Sequence, residues 1–267
     1  MGLILSKLSG ARGYLNYGRG IDSDAQAFLT AASITNIVQQ KAVNDLVIAL
    51  KGYNIWTKMK ALYPVVGGTS AAHAVNLKTP GTYNLTFTAG WIHASTGMTP
   101  NGTSDYANTG LASNTVQTTN HLSFYSRTQT VGTQVEIGIW NASNNTFNQI
   151  RSAANYYAGD LNNGFINFTT ISDARGFWIG TKRANNDREG YLNGATQATS
   201  STTDNSTLPA GNIYIGARNQ LNTSPSIQLY SNKQCAFASI GDGLTDTEAA
   251  NFYTAVQAFQ TTLGRQV

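Results

Sequence analysis

The chain reads as a mainly β protein, a sandwich of the jelly-roll kind, with helices near its two ends. Three observations predict this. From about Tyr63 onward, short alternating runs are broken by Gly, Asn, Asp and Pro, the pattern of many strands joined by turns. No helical period interrupts them before Thr245, which excludes the strand–helix alternation of a parallel α/β sheet. A single amphipathic helix then closes the chain. At 267 residues there is enough length for one sandwich and an extension.

Residues 1–21 read as an extended arm. Glycines at 10, 13, 18 and 20, the basic residues Lys7, Arg12 and Arg19, and Tyr14 and Tyr17 give it no face to bury within itself. Such a segment orders on a partner surface and suits anchoring. Residues 22–64 read as a helical lead-in. Asp22 and Ser23 cap a helix that runs through Ala31, and Asn36 with Gln39 opens a second. Val43, Leu46, Val47 and Leu50 give the second helix its apolar face, and Gly52 ends it. Ile55, Trp56 and Met59 continue as a short third helix. This unit has too little core to stand alone, so it is expected to pack on the sandwich or on a neighbouring subunit.

Residues 65–267 read as the sandwich with its closing helix. Strands are expected at 83–89, 121–127, 134–140, 165–169, 177–182, 189–192, 213–217, 227–230 and 235–240. Thr245 and Glu248 have capping-box spacing. Ala249, Phe252, Tyr253, Val256, Phe259 and Leu263 then recur at steps of three and four, one stripe for docking onto a sheet. Gly264 falls at the C′ position that stops such a helix.

Composition narrows the function. Only 11% of residues are charged, against roughly 25% in a typical soluble domain. Asn, Ser, Thr, Gln and Gly fill the difference, and their side chains suit hydroxyl-rich partners such as glycans. The formal charge of +4 is scattered, without the dense basic stripe and interleaved aromatics of a nucleic-acid protein. The lone Cys235 excludes an internal disulfide and a cysteine zinc site. No stretch approaches the ~20 apolar residues that cross a membrane. Met1 to Lys7 is too short an apolar run for a secretory signal.

Glycoside hydrolysis needs two carboxylates about 5–9.5 Å apart. On a strand, acids at i, i+2 and i+4 share a face about 6.6 Å apart. The three glutamates are Glu136, Glu189 and Glu248. Glu136 has Gly138 and Trp140 where its partner acids belong, and Glu248 is spent on the helix cap. Asp187 and Glu189 have the i, i+2 relation, but in a turn entering a strand. His73, His93 and His121 are far apart in sequence without metal-ligand spacing. Asp105, Asp187 and Asp242 are single oxygen donors, each short of a calcium site. No metal and no cofactor is expected. Sugar recognition asks for an aromatic platform beside amides. Trp140 with Asn141, Asn144 and Asn145, and the pair Tyr156 and Tyr157 before "AGDLNNG", supply both. Trp91 and Trp178 read as core, with His93 beside Trp91 as a sugar or subunit contact or a structural histidine.

Several segments together carry a family resemblance. "DAQAFLTAASITN" with "LKGYNIWTKMKALYPVVGG" looks like a helical lead-in. "HAVNLKTP" and "GWIHASTGMTPNGTSDYANTG" resemble a segment that opens a sandwich. "NHLSFYSRT" is similar to a core strand, "REGYLNG" to a strand ending in a turn, and the closing cassette from Ala210 to Leu263 is the most specific part. From about Asp22 to the end, the chain resembles the concanavalin A-like (LamG-type) jelly rolls of tailed-bacteriophage structural proteins, frequent in phages of the Bacteroidota, including crAss-like phages.

That resemblance implies a non-enzymatic virion component, such as a head decoration, head fibre or tail protein. The arm and helices would anchor it to capsid, portal or tail proteins, in a homo-oligomer, and the jelly roll would face host surface glycans. It implies localisation in the virion, with neither nucleic acid nor membrane as a partner. A tail-associated polysaccharide-degrading enzyme and a soluble lectin-like module remain the alternatives.

Overall fold

The computed structural model describes residues 20–116, 118–143, 146–153, 156–161, 164–203 and 207–267. The arm residues Lys7, Arg12, Tyr14, Tyr17 and Arg19 lie outside these. In chain order the first elements are α1 (Ser23–Ala31), α2 (Ile37–Gly52), β1 (Met59–Tyr63), α3 (Ser70–Ala74), β2 (Thr86–Phe87), β3 (Ile92–Ala94), β4 (Gly97–Thr99) and β5 (Ala107–Ala112). The middle holds β6 (Asn120–Ser126), β7 (Gln134–Asn141), β8 (Thr146–Ala153), β9 (Tyr156–Leu161), β10 (Gly164–Thr170), β11 (Gly176–Ala184), β12 (Asp187–Leu192) and β13 (Ala195–Ser200). The last are β14 (Asn212–Ile215), β15 (Arg218–Leu221), β16 (Ile227–Gln228), β17 (Cys235–Asp242) and α4 (Asp246–Thr262).

Among the described residues the strands form two sheets. One runs β13-β12-β11-β6-β17-β4-β3, with β1 also on β17; the other runs β10-β9-β8-β7-β14-β5-β2, with β15 on β7 and β16 on β15. The first is backed by helices. Phe28, Val43, Leu46, Val47 and Leu50 of α1 and α2 share a core with Phe252, Val256 and Phe259 of α4 and with Tyr125, Phe177 and Phe237 of the sheet. A second core lies between the sheets, built from Leu122, Phe124, Trp178, Ala238 and Ile240 on one side and Ile137, Ile139, Ile150, Ile213 and Ile215 on the other. The result is three layers: helices, a helix-backed sheet and a second sheet, called the open sheet only because its strands give no described residue to the helix core. Strand β6, β11 as far as Lys182 and β17 as far as Gly241 are therefore buried on both faces, as expected of a sheet covered twice.

The expected mainly β sandwich is the observed architecture. Both lead-in helices start where their caps place them. Asp22 accepts from the Asp24 N–H at 3.0 Å, and Asn36 accepts from the Val38 and Gln39 N–H groups at 3.0 and 3.1 Å. The expected third helix is instead a single 3-10 turn over Trp56–Lys58, followed directly by β1. Met59 and Leu62 face the helices while Ala61 and Tyr63 enter the inter-sheet core, after a bulge between Met59 and Ala61. Alternation beats helix formation here because β1 completes the edge of β17. Residues 59–63 thus belong to the sheet, and the helical lead-in ends at residue 58. Helix α3 was not expected; Thr69 Oγ1 caps it by accepting from the Ala72 N–H at 3.2 Å.

The closing helix has both halves of the capping box, and Lys58 adds an ion pair to Glu248 at 2.5 Å. At its other end Gly264 takes φ +64°. There the Arg265 N–H bonds to Gln260 O at 3.0 Å, the long bond of a Schellman turn. The Arg265 side chain then turns inward. It is buried and donates to Val65 O and Pro64 O at 2.7 Å and to Ala236 O at 2.9 Å, tying the end of α4 to the loop after β1 and to β17.

Candidate functional site

The open sheet turns Ile137, Ile139, Ile213, Ile215 and Ile150 into the core. Strand alternation therefore puts Glu136, Gly138 and Trp140 of β7, Tyr214 of β14 and Asn108 of β5 on its outer face. The register agrees: Tyr214 pairs with Gly138 on one side and with Asn108 on the other, and Gly138 pairs with Gln149 of β8. Tyr106 stacks on Tyr214 with ring centroids 4.6 Å apart and planes 13° apart. Tyr106, Tyr214 and Asn108 are each half-buried. Burial raises the Tyr214 phenol above its usual range, with Tyr106 adding to the effect.

At the other end of this face stands Trp140, also half-buried. Strand β15 runs parallel to β7 there, with Gln220 opposite Trp140. The Arg218 guanidinium lies 4.5 Å from the Trp140 ring centroid, a cation–π contact. It is held in place by hydrogen bonds to Gln220 and, at 3.4 Å, to Gln228. Asn141 is used locally: its Oδ1 accepts from Asn222 Nδ2 at 2.8 Å and from the Ser143 N–H at 3.1 Å. Asn144 and Asn145 lie outside the described residues. Tyr156 and Tyr157 open β9, paired with Ala153 and Ser152, and their side chains lie outside the description. The structure places Trp140 half-buried beneath Arg218, turns Asn141 into a turn brace, and brings Tyr106, Tyr214 and Arg218 to the same face. Tyr214 was legible as the outward residue of "NIYIG"; Tyr106 precedes its strand and carried no signal.

The acids are engaged elsewhere. Glu136 shares the outer face with Gly138 and Trp140, as the i, i+2, i+4 rule requires. It is fully enclosed, with its Oε1 3.2 Å from Lys233 Nζ. Arg183 gathers Asp187 at 2.7 Å, Glu189 at 2.8 Å, and Asp246. Tyr191 donates to Asp246 at 2.9 Å, and Thr196 donates to Glu189 at 2.5 Å. Asp105 is buried among turn donors, accepting from Thr88 Oγ1 at 3.1 Å, Gly90 N at 3.2 Å and Asn101 N at 3.0 Å. Asp242 lies 3.5 Å from Lys60 Nζ. Among the described residues no three His, Cys, Asp or Glu side chains gather to hold a metal ion.

The histidines sit in hydrogen-bonded contacts. His73 and His93, far apart in the chain, meet with Nδ1 to Nδ1 at 2.9 Å, and the His93 ring packs edge-on to Phe87 at 4.7 Å. His73 Nε2 accepts from the Gly68 N–H at 3.2 Å, so its proton sits on Nδ1 and is donated to His93. Burial, with the cationic Arg265 nearby, pushes His73 down to about 3. His121 is buried behind the helix-backed sheet, donating to Asp242 O at 2.7 Å and bonded to Ser239 Oγ at 2.9 Å. Ser239 in turn meets Ser123 at 2.6 Å. This Ser–His chain is sealed under Phe252, so it ties strands β6 and β17 together rather than facing a substrate. Cys235 is buried, and burial pushes its thiol up to about 12, which leaves it inert.

No protein-family model matches the chain, and no curated protein matches it. Solved structures do resemble it. The binding domain of botulinum neurotoxin serotype C1 is 12% identical over 76% of this chain and 53% of that one, with a TM-score of 0.54. A second botulinum neurotoxin type C structure is 12% identical over 76% of this chain and 52% of that one, with a TM-score of 0.53. Domain 4 of an extracellular arabinanase from Geobacillus stearothermophilus, solved with arabinotriose, is 14% identical over 73% of this chain and 98% of that one, at 0.48. The chain spans about half the length of the toxin chains it matches. What it shares with them is the two-sheet β-sandwich fold. Among the described residues, no helix is long and apolar enough to cross a membrane.

Proposed function

We propose that this chain is a non-enzymatic structural component of a tailed-bacteriophage virion, a head decoration, head fibre or tail protein, that displays a lectin-like sandwich and binds host-surface glycans. One observation carries the glycan half. Trp140, Tyr214 and Tyr106 stand on one face of the open sheet beside Asn108, Arg218 and Gln228. Ring faces for sugars beside polar groups for their hydroxyls are the pairing that sugar recognition needs. The toxin likeness supports it at the level of fold: one of those structures is described by the dependence of that toxin's cell entry on two ganglioside molecules. The virion half rests on the segment resemblance from Asp22 onward. Helices α1 and α2 lie on the opposite side of the molecule from the aromatic face, which leaves residues 1–21 and the helices for anchoring to capsid, portal or tail proteins in a homo-oligomer. All three glutamates sit in ion pairs, which supports a non-enzymatic role.

The purified full-length protein should retain glycans on an array. The Trp140→Ala, Tyr214→Ala double variant should lose them with its circular dichroism unchanged; a blank array overturns the glycan half. Removing residues 1–21 should abolish incorporation into the particle, and full occupancy without them would sink the anchoring role. Release of sugars from host capsule by the purified chain would replace the structural assignment with the degrading enzyme.

A further inference from the structure

His73 and His93 meet across a seam between two small elements, with their Nδ1 atoms 2.9 Å apart. On one side, β3 is three residues long and ends the helix-backed sheet, with β4 as its strand neighbour among the described residues. On the other, α3 is five residues long and follows Gly67 and Gly68, at φ +93° and +73°. Two further contacts cross the seam. Arg265 donates to Ser95 O at 3.3 Å while it holds Val65 O and Pro64 O, and Gly68 packs against the Ser95 backbone. Short elements at the end of a sheet open locally at a lower cost than global unfolding.

The hydrogen bonds of the pair leave no place for a further proton. His73 Nε2 accepts from the Gly68 N–H at 3.2 Å, and His73 Nδ1–H donates to His93 Nδ1, so His93 carries its own proton on Nε2. Both acceptor nitrogens are thus occupied. A proton added at His93 Nδ1 sets N–H against N–H and ends the pair; one added at His73 Nε2 ends the Gly68 bond. No carboxylate offsets the added charge. Among the described residues, the groups facing the pair are the cationic Arg265 and the uncharged rings of Phe87 and Trp91. Asp105 spends its carboxylate on Thr88, Gly90 and Asn101.

We infer that the His73–His93 bond is an acid-sensitive latch: protonation breaks it and lets β3 and α3 part while the rest of the sandwich stays folded. Burial holds both histidines below their ordinary range when the seam is shut, with His93 and Arg265 adding to the effect on His73. Once it opens, they regain ordinary values near 6.5. The open form therefore binds more protons. The seam stays shut above about pH 6.5 and opens progressively as pH falls below it. Opening uncovers Trp91, buried when shut, beside Ile92, which is exposed already.

The test is nuclear magnetic resonance on the full-length protein, reading the imidazole nitrogens and amide hydrogen exchange from about pH 7.5 to about pH 5. At the upper pH both rings should be neutral, His73 with its proton on Nδ1 and His93 with its proton on Nε2. On acidification, amide protection over residues 67–74 and 91–95, corrected for the intrinsic pH dependence of exchange, should fall at least about tenfold further than in β6. His93→Asn keeps an acceptor where Nδ1 stood and cannot titrate, so it should abolish that extra fall. The wrong tautomer on either ring, a charged ring at the upper pH, protection that does not change, a loss shared equally with β6, or a fall that survives in His93→Asn each overturns the latch. The tautomer readout needs no variant, so it decides the matter even if His93→Asn fails to fold.

Discussion

At the scale of residues, the buried histidines set how the protein responds to acid. Burial pushes His121 down to about 4, against the partial help of its Asp242 carbonyl acceptor, and pushes His73 down to about 3. The unfolded chain holds both near 6.5. Between these values the unfolded state binds more protons, so stability rises with pH through that window and is lost as pH falls from about 6.5. Urea denaturation at about pH 7.5 and about pH 5 should differ by about 2 kcal/mol for each histidine. A midpoint that does not move between the two would refute the buried, neutral state. The enclosed Glu136–Lys233 pair makes a second prediction. Lys233→Met removes the ammonium 3.2 Å from the enclosed Glu136 carboxylate and should lower stability by more than about 1 kcal/mol in the same assay, whereas an unchanged midpoint would mean the pair contributes nothing to stability. Trp140 was legible because an aromatic next to an Asn-rich turn has a chemical meaning on its own. The His73–His93 contact was not, since nothing local links α3 to β3.

At the scale of elements, α4 was the most legible part, because each of its signals is local. The capping box, the stripe and Gly264 lie within about twenty residues and act through neighbouring backbone groups. Thr245→Ala should cost about 1 kcal/mol, and Gly264→Ala a similar amount because φ +64° strains any residue with a Cβ. Thermal melts that leave either variant at wild-type Tm would show that the helix is held by packing alone. Strands β8, β13 and β15 went unread because "TFNQIRSA", "ATQATS" and "RNQL" hold few apolar residues. Their partners, not their composition, make them strands. Met59–Tyr63 misled for the opposite reason: an apolar segment this short has no period long enough to tell helix from strand. Gly241 in β17 shows how tightly the elements meet. A Cβ there would lie 2.3 Å from Lys58 O and 2.6 Å from His121 Cε1. Gly241→Ala should therefore separate β1 from β17 and cost about 1–3 kcal/mol, read as a lower urea midpoint; an unchanged midpoint would show that the junction gives way freely.

At the scale of the whole molecule, a sandwich with helices was legible, but its layering was not. Whether helices cover one sheet or close an end depends on contacts between residues 22–58 and 235–263, which no local pattern encodes. The layering decides the proposed division of labour, since one sheet is spent on holding helices and the other keeps an aromatic face. If so, a truncation that stops before Cys235 should lose both activities at once, because α1 and α2 would have no finished sheet to pack on. A soluble, cooperatively melting truncation would contradict this.

Strand β17 has one more consequence. It lies between β6 on one side and β1 and β4 on the other, so it pairs with a strand about 180 residues earlier in the chain. The middle of the helix-backed sheet is thus supplied by its most distant segment. Loop closure of that size must come before most of the favourable contacts are made, which places the chain among slow, high-contact-order folders. During synthesis, the helices and the first strands wait for a partner made about 180 residues later. Until β17 arrives, β1 and β6 present open edges, and that interval is when the chain is most exposed to misassembly.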